Sequence, residues 1–404
     1  MIGRFARTEG EECKMASQHI VIIGSSIAGL SAAQAARAQD PNCRVTILSQ
    51  DSHLPYFRQR LCEVLHDRAQ AQKLYINPAE WYAQQGFELR LNKRVVRLLP
   101  EEKTLVLANR ERLPYDSLIL ASGSYSFLPP TKGFDLGGVE TLWTMEDALR
   151  IEGRIAGASR SIVIGGGVLG LEAAYALHQR GLESLILERL PRLMMRQLDE
   201  RAAELFTSLV EQEGTQVTTD AYIAEIVPDE NGRAKGVRLE DGSFFPADLI
   251  LVSAGVRPRL EYLKDSGVAV DRFITVDNRM RTNLPGIYAA GDCAMMDQRW
   301  YGLWMIAKQQ GAIAGENAAG GQKEYVMPVP PYMVKTMGTQ IASAGTVEEG
   351  GLSREALEQL HRDIEENSEL FQYAKRLYVG DTLSGFILLG DTKAFFSLHK
   401  QLGK

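Results

Sequence analysis

One pattern occurs twice in this chain, and few folds accommodate the repetition. An apolar run, Ile20-Val-Ile-Ile, enters the small-residue turn Gly24-Ser-Ser-Ile-Ala-Gly29 and then Leu-Ser-Ala-Ala; a second, Ser161-Ile-Val-Ile, enters Gly165-Gly-Gly167-Val-Leu-Gly170 and then Leu-Glu-Ala-Ala. The leading glycines lie 141 positions apart. Each copy predicts a buried strand, a tight turn and a helix. Further short apolar runs at residues 45–48 and 184–187 complete the βαβ unit that a parallel sheet requires. The two halves also close alike: Leu113-Pro-Tyr-Asp-Ser-Leu-Ile-Leu-Ala121-Ser-Gly123 is echoed by Phe245-Pro-Ala-Asp-Leu-Ile-Leu-Val-Ser-Ala254-Gly255-Val-Arg-Pro. The expected fold class is therefore α/β, with two Rossmann-like doubly wound domains.

The 404 residues leave room for more than these halves. A strand ending Ile287-Tyr-Ala-Ala-Gly291-Asp292 and a helix over residues 305–319 precede Met327-Pro-Val-Pro-Pro331, which marks a boundary. Beyond it, strand-like runs at residues 340–344, 373–379 and 384–389 and an amphipathic end at 392–402 predict a small α+β C-terminal domain. Composition narrows the function classes. With 45 % hydrophobic and 24 % charged residues the chain is globular rather than disordered. Its 51 acidic against 45 basic residues give a net charge of −6, so no global field draws nucleic acid or anionic lipid. The apolar runs at 20–30 and 162–171 are too short for the ~20 residues of a membrane span, and residues 1–18 lack an apolar signal core. They read as a disordered extension, and a cytoplasmic location with no membrane partner is expected. Cys13, Cys43, Cys62 and Cys293 are scattered without a C-x-x-C or a metal-like cluster, so no metal site, iron–sulfur centre or dithiol is expected.

A glycine-rich turn between strand and helix lets backbone N–H groups approach a pyrophosphate at the positive helix end, where a Cβ would collide. The second copy, with Gly165, Gly167 and Gly170, satisfies G-x-G-x-x-G fully, Val168 and Leu169 opening its helix. Glu188 ends the next strand 23 residues on, placed to accept from ribose hydroxyls and to repel a 2′-phosphate, which favours NADH over NADPH. Arg189 and Arg192 follow and soften that preference. In the first copy Ser26 replaces the middle glycine, between Ser25 and Ile27-Ala28. Its next strand ends at Ser49 where an acid is expected, with Asp51 as the substitute.

These two turns, the Ala121 to Gly123 stop, the Ala254-Gly-Val-Arg-Pro258 turn and the Gly-Asp292 strand resemble the FAD-dependent pyridine-nucleotide-disulfide oxidoreductase superfamily over residues 19–321. Leu54-Pro-Tyr-Phe-Arg-Gln-Arg-Leu61, Gly302-Leu-Trp-Met-Ile-Ala-Lys-Gln-Gln-Gly311 and Pro-Pro-Tyr-Met-Val-Lys resemble most the NADH:rubredoxin and flavorubredoxin reductases. The resemblance implies a glutathione-reductase-like arrangement: FAD-binding residues 19–126, an NADH-binding insertion at 127–256, a second FAD-binding part at 257–321, and the C-terminal domain at 325–404. It further implies that Gly24, Ser26, Ala28 and Gly29 face the FAD pyrophosphate with Arg58 beside it. Ala121, Ser122 and Gly123 would pass near the ring, and Gly291 and Asp292 would meet the ribityl chain. For NADH, the resemblance places the 165–170 turn on the phosphates, Glu188 on the ribose, Glu172 on the nicotinamide amide and Gly255 in the same cleft.

The implied reaction is hydride transfer from NADH to FAD, then electron transfer to a second acceptor, with the flavin as the redox centre and no catalytic side chain. A helix N-terminus at Trp304 to Ala307, with Lys308 and Lys335, would stabilise negative charge on the reduced ring; core packing for Trp304 and a solvated face for Lys308 stand beside that reading. Related disulfide reductases carry redox cysteines; here Cys62 reads as a buried helix cysteine or a redox thiol, and Cys293 as small-residue packing. The leading acceptor is a small electron-transfer protein such as rubredoxin, docking on a patch of Arg58, Arg60, Arg68 and Lys335, and the expected state is a monomer. The alternatives are an NADH oxidase or peroxidase, the reductase component of an oxygenase or nitrite-reducing system, and a dinucleotide-sensing protein that does not turn over.

Overall fold

The computed structural model describes residues 17–404, in two compact units. The first comprises the described residues through Ser52 with Ala79–Ser122 and Leu260–Tyr325; the second comprises His53–Pro78, Gly123–Arg259 and Val326–Lys404. The extension expected at residues 1–18 and Cys13 lie, apart from residues 17 and 18, outside the described residues. No helix among the described residues is long and apolar enough to cross a membrane.

The first unit is built on a five-stranded parallel sheet in the order Ile287–Ala289, Ser117–Leu120, His19–Ile23, Arg44–Leu48, Phe87–Arg90. The central strands are buried on both faces and read as continuous Val/Ile/Leu runs rather than alternating ones, as an all-parallel sheet demands. On it pack the Ile27–Gln39 and Trp304–Ala318 helices, which cross through small residues. A Cβ on Gly311 or Gly315 would collide with the carbonyl oxygens of Ala28 and Ala32, so only glycine lets the two backbones approach this closely.

The second unit repeats the plan: Gln216–Thr218, Glu183–Leu187, Arg160–Ile164, Leu249–Val252 and Val139–Thr141 form a parallel sheet in that order. In both sheets the strand leading into the glycine turn lies beside the strand that closes the half, so chain direction through the sheet reverses between them. That switch point opens a crevice at the carboxyl ends of the strands, where α/β sheets take ligands. The duplication extends to a three-stranded antiparallel meander in each half, Val95–Leu99, Thr104–Leu107, Arg112–Pro114 and Ile223–Pro228, Ala234–Leu239, Phe244–Pro246.

The C-terminal part of the second unit is a five-stranded antiparallel sheet, Tyr332–Thr336, Thr339–Gly345, Thr382–Leu389, Gln372–Val379, Leu360–Asn367. Its period-2 alternation sends Ala342, Ala344, Phe386 and Leu388 to one face, covered by Phe395 and Leu398 of the Phe395–Gln401 helix. Ile341, Tyr373, Ile387 and Leu389 go to the other, where they join one core with Leu171, Leu177 and Phe206 of the Val168–Gln179 and Glu200–Gln212 helices. The sheet is thus welded to the nucleotide-type half by a shared apolar layer. The fold is the mixed α/β, Rossmann-like architecture expected from the duplication.

Candidate functional site

The two glycine turns are built by the same contacts. Gly24 N–H donates to Leu48 O and Gly165 N–H to Leu187 O, both at 2.8 Å. Gly24 and Gly165 have φ of +108° and +116°, a left-handed region that side chains rarely adopt, and a Cβ on either would meet the Ala121 or Ser253 carbonyl across the switch point. One turn later a Cβ on Gly29 or Gly170 would strike the carbonyl of Gly24 or Gly165. Packing within the protein therefore fixes these four glycines.

Gly167 differs. Its φ and ψ of −84° and 175° suit any residue, and a Cβ there meets nothing within 4 Å. Nothing inside the protein explains a glycine at the mouth of this turn; a ligand approaching the backbone does. Neither helix that follows has a side-chain N-cap, so the first-turn N–H groups of Ile27, Ala28 and Gly29, and of Val168, Leu169 and Gly170, are open to an external acceptor. These cradles fit a dinucleotide pyrophosphate. Ser26, with φ −71° and ψ −172°, sits where Gly167 does and is half-buried, so a hydroxymethyl group is accommodated at the first turn.

The strand ends beside the turns carry different chemistry. In the second unit both oxygens of half-buried Glu188 accept backbone bonds, from Gly166 N–H at 2.5 Å and Leu190 N–H at 2.7 Å, which locks the turn and orients the carboxylate; two further lone-pair positions remain for a ribose diol. In the first unit a hydroxyl pair replaces this arrangement: Ser25 Oγ donates to buried Ser49 Oγ at 2.9 Å, and Asp51 N–H donates to the same oxygen at 3.2 Å. Ser122 Oγ, beyond Ala121, accepts from the buried Tyr262 hydroxyl at 3.1 Å. Gly291 opens a short turn carrying half-buried Asp292; its N–H donates to Gln310 Oε1 at 3.0 Å, and Ala28 lies where its Cβ would be. Trp304 begins its helix half-buried behind Leu303, again without a side-chain cap, while Lys308 is exposed. The first unit contains residues 24–29, Ser49, Asp51, Ala121, Ser122, Gly291, Asp292 and Trp304.

The second unit carries Arg58, Gly123, Gly165, Gly167, Val168, Leu169, Gly170, Glu172, Glu188, Gly255 and Lys335. Gly123 and Gly255 have φ of +68° and +93° with nothing within 4 Å of a Cβ, so backbone conformation alone holds them as glycine. Arg58 donates to the Trp143 carbonyl and lies over the Tyr56 and Trp143 rings at 5.3 and 5.4 Å. Arg60 is paired with Glu63 and Arg68 with Glu152, both at the surface, and Lys335 is exposed on its strand.

Glu172 has no hydrogen bond or ion pair among the described residues. Burial, and then the charge of Glu63, push its carboxyl up to about 7. Because that value exceeds the ordinary 4.5, its contribution to stability is present in full below about pH 4.5 and lost as pH rises through about 7. Next to it, burial pushes the Cys62 thiol well up, with Glu172 and Glu63 adding to the shift, the opposite of a reactive thiolate. Cys293 is buried, its thiol donating to the carbonyls of Leu120 and Ala290. Among the described residues no cluster of side chains suits a metal ion.

Residues 18–311 match the sequence profile of the family described as pyridine nucleotide-disulphide oxidoreductase. The chain belongs to that family. Its members use FAD and NAD(P)H. The chain is 29 % identical over 334 residues to an NADH-rubredoxin oxidoreductase of Clostridium acetobutylicum, covering 83 % of each chain. The solved structure of NADH:rubredoxin oxidoreductase from that organism superposes with a TM-score of 0.78 at 26 % identity, covering 96 % of this chain and 95 % of the other. Over 393 residues it is also 31 % identical to a nitrite reductase [NAD(P)H] of Bacillus subtilis, covering 96 % of this chain and 48 % of that protein. The chain thus spans about half the length of that relative. Some contacts were not legible locally. Ser253 opposite Gly165, Gln310 on Gly291 and Glu63 beside Glu172 come from remote segments; only the Val-Ser-Ala254-Gly255 echo pointed towards the first of them.

Proposed function

We propose that this chain is an NADH-dependent flavoprotein reductase that hands electrons to a small one-electron redox protein, a rubredoxin-type iron protein first among them. The observation that carries this reading is the pairing of two open dinucleotide cradles with cysteines that are buried and, at Cys62, shifted away from thiolate. With no reactive thiol among the described residues, the electron route runs from nucleotide to flavin and out. FAD held there would supply a centre able to take up two electrons together and release them singly.

The protein's own residues bind and orient. The 24–29 turn would hold the FAD pyrophosphate through its N–H groups, with Ser49 and Asp51 near the adenosine and Asp292 accepting from the ribityl hydroxyls. The uncapped helix start at Trp304 would favour negative charge on the reduced ring. The 165–170 turn would hold the NADH phosphates, Glu188 the ribose and Glu172 the nicotinamide carboxamide, with Gly255 keeping the cleft floor free of a side chain. Exclusion of NADPH by Glu188 is testable: Glu188→Gln keeps the shape but loses the charge. NADH affinity should then fall about tenfold, one charge-assisted hydrogen bond's worth, and the preference over NADPH should narrow. An unchanged preference in nucleotide titrations would remove Glu188 from that role.

The acceptor is tested by steady-state NADH oxidation with rubredoxin, a [2Fe–2S] ferredoxin, peroxide and air supplied separately. Fastest turnover with rubredoxin supports the reading; equal sluggishness with both iron proteins overturns it. Binding without turnover on any acceptor would favour a sensing protein. The match to a nitrite reductase favours one second reading, the reductase component of a nitrite-reducing system, whose signature is rubredoxin-independent delivery to a nitrite-reducing centre.

A further inference from the structure

A half-buried carboxyl without a counter-ion is rare, because an ionised carboxylate taken out of water without a partner is strongly disfavoured. Glu172 is such a group. It lies two positions past Gly170 on the Val168–Gln179 helix, and neither a hydrogen bond nor an ion pair reaches it from the described residues. The short Cys62–His66 helix packs against that helix and presents Cys62, Glu63 and His66. Of these, Glu63 adds negative charge, and Arg60, three positions before it, is already spent on Glu63 in a two-pronged pair at 2.7 Å. From the other packed elements come Lys335 and Tyr332 on the Tyr332–Thr336 strand, Arg160 on the Arg160–Ile164 strand and Glu183 on the Glu183–Leu187 strand. Lys335, Arg160 and Glu183 are exposed, and the forces acting on Glu172 are burial and Glu63.

We propose that Glu63, acting through Glu172, makes the nucleotide cleft distinguish reduced from oxidised nicotinamide: the cationic ring drives the proton off the unpartnered Glu172 carboxyl, whereas the uncharged reduced ring leaves its proton as it is in the empty cleft. This rests on the nucleotide reading of the second unit given above. Glu63 is a positioning residue in this scheme, and Glu172 is the group near the ligand. The balance closes simply. Oxidation of the nicotinamide removes a hydride, two electrons and one proton's mass, to the flavin and leaves one positive charge on the ring; Glu172 then loses its O–H proton to solvent, and the carboxylate faces the new cation. A neutral Glu172 has a hydroxyl to donate to a carboxamide oxygen, whereas the ionised form can only accept from the carboxamide NH2. The proton therefore changes both charge and hydrogen-bond sense at the ligand. Its pH window follows from the raised carboxyl: protonated below neutrality, ionised above it.

The test is nucleotide binding to the full FAD-loaded protein, read by calorimetry with two probes: NAD+, and tetrahydro-NADH, whose uncharged ring carries no transferable hydride. NAD+ affinity should rise about tenfold from pH 6 to pH 8, since one linked proton changes affinity at most tenfold per pH unit below its midpoint. Tetrahydro-NADH affinity should not rise over that range. Titrations at pH 7 in two buffers of different ionisation enthalpy should register release of about half a proton with NAD+ and none with the reduced analogue. Glu172→Gln should flatten the NAD+ profile, which separates Glu172 from His66, and Glu63→Gln should move its midpoint down by about one pH unit because Arg60 is then unopposed. Equal proton release with both probes, or a pH-dependent NAD+ profile that survives Glu172→Gln, overturns the proposal. Failure of either probe to bind at any pH would instead overturn the nucleotide reading beneath it.

Discussion

Gly167→Val should abolish useful NADH binding while leaving the second unit folded. The two effects separate because the position has no steric partner inside the protein: its backbone is extended, and a Cβ meets nothing within 4 Å. A β-branched side chain would project into the volume where a pyrophosphate must approach the Val168, Leu169 and Gly170 N–H groups. Losing two charge-assisted hydrogen bonds of about 1.5 kcal/mol each corresponds to ~100-fold in affinity. Stability should change by no more than about 1 kcal/mol, the difference between a good and a poor N-cap. Gly167→Ser sets the scale, since Ser26 occupies the matching place in the first unit; its loss in affinity should stay below about tenfold. Gly170→Ala is the opposite control: its Cβ runs into the Gly165 carbonyl, so it should destabilise the turn by about 1–3 kcal/mol. Nucleotide titration and thermal unfolding on the three variants check the assignment. A Gly167→Val protein that binds NADH at native affinity would show that the cradle is not where the phosphates lie.

What the chain announces locally and what it hides follow from the range of the forces. The glycine turns are legible because strand, turn and helix signals are contiguous, and because Gly24, Gly29, Gly165 and Gly170 are held by contacts repeated in register in both halves. The central strands are legible as unbroken Val/Ile/Leu runs, the signature of burial on both faces. The Leu360–Asn367 strand was hidden for the opposite reason. Its sequence, Leu-His-Arg-Asp-Ile-Glu-Glu-Asn, is almost wholly exposed at a sheet edge, where charge discourages pairing with another chain and erases alternation. Glu63 was hidden by distance: nothing around Arg-Leu-Cys-Glu-Val says that the segment packs on a helix more than a hundred residues later. The same packing settles Cys62, whose thiol is sealed between the two helices beside two acids. Arg58 shows a subtler limit. A resemblance can place an arginine beside a phosphate, but its present partners, the nearby Tyr56 ring and the carbonyl and ring of Trp143 85 positions away, could not be read together from the motif.

Lys375→Ala should be the most destabilising single substitution in the C-terminal sheet. Lys375 and Asp199 are 7 % and 8 % exposed, which makes theirs a desolvated pair whose loss leaves a charge stranded. Asp199 Oδ1 accepts from Ala202 N–H at 2.9 Å and so caps the Glu200–Gln212 helix, while Oδ2 accepts from Lys375 Nζ at 2.7 Å and the Tyr373 hydroxyl at 3.0 Å. One carboxylate thus ties the nucleotide-type half to the antiparallel sheet across their shared apolar layer. Removing the lysine should cost about 3–5 kcal/mol, because Asp199 stays buried with only neutral donors. Lys375→Met combined with Asp199→Asn should recover most of that loss, since no charge is then buried and the amide oxygen still accepts from Ala202. The exposed Arg201–Glu366 pair, joining the same helix to the neighbouring Leu360–Asn367 strand at the surface, is the comparison: breaking it with Arg201→Ala should cost less than about 1 kcal/mol and lose its effect in high salt. A chain of two units need not unfold in one step, so the measurement is local, hydrogen exchange at the amides of Gln372–Val379 and Glu200–Gln212. If Lys375→Ala and the double variant open these amides equally, neither the stranded charge nor the lysine stem is the cost, and the value of the contact lies in the ion pair itself.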